Sequence, residues 1–281
     1  MGTTPQRATP HTSRWGSRRY TVPNVEGTGE MSYPSVTTVL GIINKPALVY
    51  WAAKSERDYC LEQLEAFYTS LTKRISPLSF RLSYLERLGS RLAYRKISRE
   101  ALDIGRLVHD RIEWEMRSEL GLGYLPEPRI PDELVLPDGT TVIHPARQSY
   151  ESYRRWKTEK RVTPLRVEQV VWSHRYGIAG TLDWVGRVED RLTLADWKSS
   201  KAIYFEMPLQ IAAYRQCWIE MGHGEPPLGG LIVRLPKETG DEFEALEVEW
   251  EEQEALFGQV RAALALYTAH EQWEAARIPH A

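Results

Sequence analysis

Residues 176–214 read YGIAGTLDWVGRVEDRLTLADWKSSKAIYFEMPLQIAAY, and this stretch decides the fold prediction. Two runs rich in β-branched and aromatic residues, 182–185 and 191–198, predict a pair of strands. Glu189 and Asp190 lie between them and suit a two-residue turn. With that turn, counting along the strands places Asp183 opposite Asp196. The run that ends at Tyr214 predicts a helix directly after the hairpin.

The predicted hairpin brings two carboxylates and a lysine together. Opposed side chains in an antiparallel pair have Cβ atoms about 4.5–5.5 Å apart, so Asp183 and Asp196 require a proton or a cation between them. Lys198 projects from the same face as Asp196, and Trp197 projects from the other. Oxygen ligands suit Mg²⁺, and a lysine beside the metal can orient the attacking water. The alternative is a cross-strand ion pair on a solvated hairpin, and a slip of one residue would separate the acids.

An ordered set of short motifs extends this pattern. Gly180 precedes Asp183 by three residues, Asp196-Trp197-Lys198 follows, and Gln210 and Tyr214 are spaced to share one helix face. This order resembles the RecB-like branch of the PD-(D/E)xK nucleases. A second segment, Pro-Ser-Val-Thr at residues 34–37, is similar to the opening of the mitochondrial genome maintenance exonucleases and their phage and bacterial relatives.

The resemblance implies a fold and a metal site. The expected fold is α/β, a restriction-endonuclease-like α/β/α core with a mixed central sheet and a helical N-terminal half. The implied ligands of one or two Mg²⁺ or Mn²⁺ ions are the side chains of His109, Asp183 and Asp196 with the main-chain carbonyl of Trp197. His109 is assigned by its match to a Gly-x-x-x-His helix that begins at Gly105, and a histidine ligand suits Mn²⁺.

Three further catalytic roles follow from the resemblance. Lys198 positions the attacking water, while Gln210 and Tyr214 support the lysine or the strand being cut. Glu168, on a predicted strand over residues 162–173, belongs either to the metal site or to the surface. Glu113, one helical turn after His109, is either an acceptor behind that histidine or an exposed residue.

Candidate DNA contacts lie in three places. Ser35 and Thr37 are either a helix cap with a first-turn residue or phosphate contacts. A stripe spaced by four residues, with Lys96 beside it, is either a phosphate-binding surface or a solvated helix face. The stripe consists of Arg87, Arg91, Arg95 and Arg99. Ser199, directly after Lys198, completes the predicted contacts.

Composition bounds the remaining possibilities. The chain has 281 residues and a net charge of −2, so any nucleic-acid footprint must be local. Two distant cysteines, Cys60 and Cys217, suit a reducing compartment and cannot supply a four-cysteine iron–sulfur cluster. No signal peptide or membrane span is evident. We expect a cytoplasmic protein of a bacterial or phage-infected cell.

The expected organisation is a flexible N-terminal arm over residues 1–30 and a single nuclease domain over 31–281. Within that domain, 31–125 forms a helical part and 145–281 a catalytic core. Ser98 is the expected N-cap of the helix that carries His109. Further predicted elements are a hairpin at 133–142, a helix at 148–160, strands at 230–235 and 244–250, and a final helix at 251–273.

The functional expectation is a metal-dependent DNA exonuclease that hydrolyses phosphodiester bonds in single-stranded DNA or at DNA ends. It would serve repair, recombination or phage replication, with or without a partner protein. Two alternatives stay open: a structure-selective endonuclease with the same chemistry, and a non-catalytic DNA-binding recombination partner. The preference for an exonuclease comes from the resemblance, because fold does not fix substrate.

Overall fold

The computed structural model describes residues 9–12, 17–25, 29–43, 46–70, 93–123, 126–136, 138–223, 229–238, 241 and 243–277. The strands are β1 (Thr9–Thr12), β2 (Arg18–Pro23), β3 (Glu30–Pro34), β4 (Glu133–Val135), β5 (Thr141–Ile143), β6 (Thr163–Ser173), β7 (Ile178–Val188), β8 (Arg191–Lys198), β9 (Gly229–Arg234) and β10 (Glu244–Glu249). The helices are α1 (Val36–Leu40), α2 (Pro46–Ser70), α3 (Ala93–Glu119), α4 (Pro145–Glu159), α5 (Glu206–Glu220) and α6 (Trp250–Ala275).

The chain divides into two compact units. The smaller is Asn44–Arg106, and the larger combines Met1–Ile43 with Leu107–Ala281. In the smaller unit, the Tyr94 main-chain N–H donates to Glu56 Oε1 at 3.1 Å, which joins α2 to the start of α3. Helix α3 passes through Ser98, so the expected N-cap there is wrong: Ser98 lies inside a helix that already includes Ala93.

The larger unit is built on a mixed sheet with the strand order β10-β9-β8-β7-β6. Neighbouring strands are antiparallel except for β8 and β9, which are parallel. The connection between these two strands contains α5, as a parallel crossover requires. The expected mixed α/β architecture is therefore confirmed, and the later strands and helices begin and end within a few residues of their predicted bounds.

The hairpin predicted from residues 182–198 is confirmed. Val188 pairs with Arg191, and the pairing continues to Trp184 with Ala195. The two residues between the strands, Glu189 and Asp190, have φ values of 49° and 69°. Positive φ at both central positions is the geometry that matches the twist of a tight hairpin. The turn therefore fixes the register on which the proximity of the two acids depends.

Helices cover both faces of this sheet. The main core joins one face of the sheet to α1, α5 and α6 through aliphatic residues that include Leu194, Ile211 and Val260. On the other face, aromatic side chains of α4 pack on β7 and β8. Tyr153 and Trp156 of α4 meet the Trp197 ring edge-on at centroid distances of 5.2 and 5.3 Å. The layers are therefore α/β/α.

The described part of the N-terminal segment, residues 9–12, 17–25 and 29–34, contains strands where a flexible arm over 1–30 was expected. Strands β1, β2 and β3 form a small antiparallel sheet. Its buried residues Tyr20, Val22 and Tyr33 cluster with Ala179 of β7. The Tyr20 hydroxyl and Thr181 Oγ1 are hydrogen-bonded at 2.9 Å. The alternation of polar and apolar residues from Arg18 to Val22 is a strand signal, which the Pro and Gly residues of the segment obscured.

The segment around Ser35 caps a short helix. Ser35 Oγ accepts from the Thr38 main-chain N–H at 3.0 Å, as an N-cap does.

Within the described residues, no helix combines the length and the apolarity needed to cross a membrane.

Candidate active site

Three carboxylates occupy neighbouring positions on three adjacent strands. The residues on either side of Glu168 in β6 pair with the residues on either side of Asp183 in β7, so these two acids lie opposite each other. In the next pair of strands, Asp183 and Asp196 follow directly after the last ladder pair, Trp184 with Ala195. The hairpin register thus places Asp183 between the other two acids.

The sheet is irregular at this line of acids. Glu168 has a φ of 48°, in the left-handed region that non-glycine residues seldom adopt. Asp183 Oδ2 accepts a 2.7 Å hydrogen bond from the Trp197 main-chain N–H, which turns the carboxylate towards β8. Leu182 and Val185 both pack into the main core, although strict alternation would separate them. Such interruptions re-aim side chains and are enriched at functional sites.

Helix α3 brings His109 to the same place. His109 Nδ1 lies 3.6 Å from Asp183 Oδ2. Glu113, one turn later, lines a small pocket with His109, Asp183 and Glu168. Glu113 Oε1 accepts a 2.5 Å hydrogen bond from Arg117, so its orientation is fixed by a residue on its own helix. The pocket therefore combines an imidazole with three carboxylates.

Helix α5 completes the site with a hydrogen-bonded chain. The Lys198 ammonium contacts Asp196 Oδ2 and donates to Gln210 Oε1 at 3.1 Å. Gln210 Nε2 in turn contacts Asp196 Oδ1 at 3.2 Å and the Tyr214 hydroxyl at 2.9 Å. The glutamine amide thus bridges the lysine and the acid. Its oxygen binds the Lys198 ammonium and its nitrogen binds the Asp196 carboxylate, so the amide fixes the distance between the two groups.

Gly180 makes room for that chain. A Cβ at this position would lie 2.4 Å from Tyr214 Cε1, closer than non-bonded carbon atoms approach. The Tyr214 ring can therefore pack against β7 only where the side chain is absent. This contact explains in physical terms why glycine stands three residues before Asp183.

Crowding of the acids shifts their protonation. Burial, with the nearby charge of Asp196, raises the pKa of Asp183 to about 6. Burial, with the charges of Asp183 and Glu113, raises the pKa of Glu168 to about 8. Burial lowers the pKa of Lys198, but the attraction of Asp196 and Asp183 outweighs it and the pKa is raised overall. The lysine is therefore an ammonium, and the raised pKa values of Asp183 and Glu168 mean that one lysine does not offset the burial and mutual repulsion of the acids.

The donor set fits a divalent cation in its chemistry. Asp196 Oδ2 is buried against the Lys198 ammonium, and Gln210 contacts Asp196 Oδ1. Carboxylate oxygens and one imidazole are ligands for Mg²⁺ or Mn²⁺. Among the described residues, however, no group of three or more His, Cys, Asp or Glu side chains is already arranged to hold a metal ion. The ligand set of His109, Asp183, Asp196 and the Trp197 carbonyl therefore stays a prediction.

The predicted DNA contacts fall in different environments. Ser35 is buried and Thr37 is exposed, both at the start of α1. Ser199 is half-buried directly after β8. Arg95 is exposed in the smaller unit, and its guanidinium donates to the Tyr94 hydroxyl at 3.2 Å. Of the rest of the basic stripe, Arg87 and Arg91 lie outside the described residues, Lys96 contacts Glu100 at 3.8 Å, and Arg99 is exposed.

Sequence reasoning missed three neighbours of the acids. The charges of Arg18 and Arg117 oppose the rise in the pKa of Glu168. Tyr20 bonds Thr181, two residues before Asp183. The spacing of four residues between Glu113 and Arg117 is a sequence signal that the two side chains share one face of a helix. For Arg18 and Tyr20 the alternation of the segment indicates a strand, but no local pattern indicates that this strand lies beside β7.

Comparison with protein-family models gives a match over most of the chain. The family model described as the PD-(D/E)XK nuclease superfamily matches residues 72–280, which is more than half of the 281 residues. The matched range contains every residue of the candidate site: His109, Glu168, Asp183, Asp196, Lys198, Gln210 and Tyr214. No curated protein matches the chain.

Proposed function

Because this chain belongs to the PD-(D/E)XK nuclease superfamily, we propose that it is a metal-dependent DNA exonuclease of the RecB-like branch. Its membership implies nuclease activity. The finer proposal is hydrolysis of phosphodiester bonds in single-stranded DNA or at DNA ends, in repair, recombination or phage replication. The ordered motifs from Gly180 to Tyr214 support the branch, and the resemblance to end-directed relatives supports the exonuclease.

One observation carries the assignment of the site. The line of Glu168, Asp183 and Asp196 meets the chain of Lys198 and Gln210 at a single carboxylate, Asp196. A structural ion pair would need one acid for one base, whereas here the Lys198 ammonium interacts with both Asp196 and Asp183, and Glu168 lies opposite Asp183. Like charges held together at this cost are expected where a cation and a charged substrate are to be bound.

The metal-binding residues would be Asp183, Asp196 and His109, with the Trp197 carbonyl as a further oxygen donor and Glu168 as an adjacent carboxylate. A bound Mg²⁺ or Mn²⁺ ion acidifies its water and neutralises charge on the phosphoryl group. The acids supply the negative charge that attracts the ion, and the raised pKa values of Asp183 and Glu168 mean that binding displaces protons at neutral pH.

Lys198 is the positioning residue for the nucleophile. Its ammonium, held by Asp196 and the Gln210 carbonyl, donates to the oxygen of the attacking water and offsets the charge that develops on the phosphoryl group. Water attacks phosphorus in line, a new P–O bond forms, and the bond to the leaving oxygen breaks. The proton of the attacking water passes to solvent, and the leaving oxygen takes a proton in return. Tyr214 holds Gln210 from behind.

The test compares a linear and a circular substrate. End-labelled linear single-stranded DNA and a closed single-stranded circle are incubated with Mn²⁺, Mg²⁺ or EDTA. Wild type is compared with Lys198→Ala, Asp196→Ala and a matched control, Lys160→Ala, whose side chain pairs with Glu189 at the hairpin turn. We expect loss of the linear strand alone, abolished by EDTA and lowered by at least about a hundredfold in the two site variants.

Each other result changes the conclusion. Cutting of the circle would replace the exonuclease by an endonuclease with the same site. Equal activity of Lys198→Ala and Lys160→Ala would remove Lys198 from the mechanism. No cutting of either substrate by folded, metal-loaded wild type would favour a non-catalytic DNA-binding protein.

A further inference from the structure

We propose that Tyr204 and Phe205 form a stacking platform for the unpaired bases of a single strand, at the edge of the active site. This inference deepens the proposed nuclease function and rests on it. It assigns the substrate class to two aromatic residues that lie between the catalytic lysine and α5. The structure supports it through their position, their exposure, the order of the loop and the nearby charge.

Tyr204 and Phe205 lie on the connection between Lys198 and α5. Residues 199–205 connect Lys198 at the end of β8 with the first residue of α5, Glu206. Gln210, which bonds Lys198, lies one helical turn beyond Glu206, so the two share a face of α5. A strand bound at Lys198 therefore passes close to the residues that precede Glu206.

Tyr204 and Phe205 are both exposed to solvent. The side chain of Tyr204 is 45% exposed and that of Phe205 is 60% exposed. Phe205 directly precedes α5 with helical backbone angles, and its side chain makes no capping hydrogen bond. The ring therefore contributes neither core packing nor a cap, so a role outside the folding of α5 accounts for it better.

The loop holds these rings in place. Ser200 Oγ donates to the Ala202 carbonyl at 2.7 Å. Ile203 packs against the main core. The Met207 main-chain N–H donates to the Tyr204 carbonyl at 3.0 Å. Since the backbone on both sides of the rings is anchored, stacking a base on them costs little loop entropy.

The surroundings favour an unpaired nucleic-acid strand over an apolar protein surface. Lys201 is exposed three residues before Tyr204 and can meet a phosphate. The Lys198 ammonium at the start of the same connection is a second cationic group. Exposed aromatic rings beside cationic groups are the combination with which proteins bind single strands without reading sequence. Paired bases in a duplex do not present their faces to such rings.

The experiment measures binding separately from cleavage. Labelled single-stranded oligonucleotides are titrated with the protein in Ca²⁺, and binding is followed by fluorescence anisotropy. One oligonucleotide is intact, and each of the others lacks the base at one position, which differs from one oligonucleotide to the next. We expect one or two positions at which base removal weakens wild-type binding about tenfold. In Tyr204→Ala/Phe205→Ala, the intact strand should bind about that much more weakly, and base removal should have no further effect.

Two further variants distinguish a loss of base stacking from a general loss of folding. Phe205→Leu keeps an apolar side chain and removes the aromatic ring, so it should leave the melting temperature nearly unchanged and still weaken binding of the intact strand. Trp273→Ala removes a ring of similar exposure from the end of α6 and should bind as wild type does. A general loss of folding would lower binding and melting temperature together.

The two claims fail separately. Wild-type binding that is insensitive to base removal at every position, or no binding of single strands, overturns the platform even if DNA is cut. Unchanged abasic dependence in Tyr204→Ala/Phe205→Ala overturns it as well. Position-specific dependence that the variant removes, without any cutting, keeps the platform and overturns the nuclease.

Discussion

The two faces of β8 differ in what they are built for. Asp196 and Lys198 project towards α5, where Gln210 contacts both side chains and the charge of Asp183 lies close to that of Asp196. Trp197, between them in sequence, projects towards α4. It stacks on Trp184 at a centroid distance of 5.5 Å with an interplanar angle of 16°. One strand therefore carries a strained polar site and a closely packed aromatic cluster back to back.

This difference shows where the site obtains its support. Buried charge at the acids opposes folding, and burial of large aromatic rings favours it. Tyr153 and Trp156 of α4 meet Trp197 edge-on, so the aromatic face fixes the position of β8 independently of the acids. A destabilised site is expected where function requires it, with compensation elsewhere in the fold. The changes below test whether stability and chemistry separate across β8.

The largest expected effect on stability is on the aromatic face. Trp184 is fully buried, and its truncation in Trp184→Ala should lower the free energy of unfolding by about 3–5 kcal/mol. Urea denaturation followed by circular dichroism measures it. Trp184→Phe should show a smaller loss, because the Trp184 Nε1 has no hydrogen-bond partner to lose. A loss below about 1 kcal/mol in the alanine variant would contradict the supporting role of this face.

A smaller loss is expected where α5 meets β7. In Gly180→Ala the new methyl group overlaps the Tyr214 ring, which should lower the free energy of unfolding by up to about 3 kcal/mol and displace Gln210 from Lys198. Thermal melting and the cleavage rate measure the two effects. Adding Tyr214→Leu should recover part of the stability and none of the activity. Failure of that rescue would mean that the overlap with the ring is not the cause.

On the acidic face we expect stability to depend on pH with an unusual sign. The pKa of Glu168 rises from 4.5 to about 8 on folding, so between these values the metal-free folded protein binds a proton that the unfolded chain releases. Raising the pH through this window should therefore lower the free energy of unfolding. The loss should be roughly 2 kcal/mol, below the limit of the full shift, since water and backbone relaxation soften the cost.

Two comparisons isolate that dependence. Glu168→Gln should flatten the pH profile of metal-free protein, and Mn²⁺ should flatten the wild-type profile by neutralising the acids. Urea titrations at a series of pH values measure both. An identical slope in wild type and Glu168→Gln would exclude Glu168 as its source.

The smallest expected effect concerns Tyr214→Phe. The change removes the hydroxyl that meets Gln210 at 2.9 Å and keeps the ring on Gly180. We expect a loss of about 0.5–1.5 kcal/mol in unfolding free energy and a modest fall in cleavage rate. A cleavage rate as low as that of Lys198→Ala would assign Tyr214 a direct role in the chemistry.

Much of this arrangement follows from sequence. Turn chemistry at Glu189 and Asp190 sets the hairpin register, and the register sets the proximity of Asp183 and Asp196. The spacing of Gln210 and Tyr214 places both on one face of α5. These features are local, so period and turn type were sufficient to predict them.

What sequence left open depends on long-range contacts. The place of Glu168 opposite Asp183 follows from a β6–β7 register that no local pattern fixes. The small sheet of β1, β2 and β3 is stabilised by contacts of Tyr20 with β7, more than 150 positions away in the chain. His109 reaches the acids from a helix that precedes them by several elements, and only the family resemblance indicated it.

The most direct test of the central claim is a calorimetric titration of Mn²⁺ into the metal-free protein near pH 7. Wild type is compared with Asp183→Asn/Asp196→Asn, which keeps the size of both side chains. Our account predicts uptake of one or two ions by wild type with release of protons, and no uptake by the variant at an equal or higher melting temperature. Equal uptake by both proteins would contradict it, because the metal would then bind away from the acids of β7 and β8.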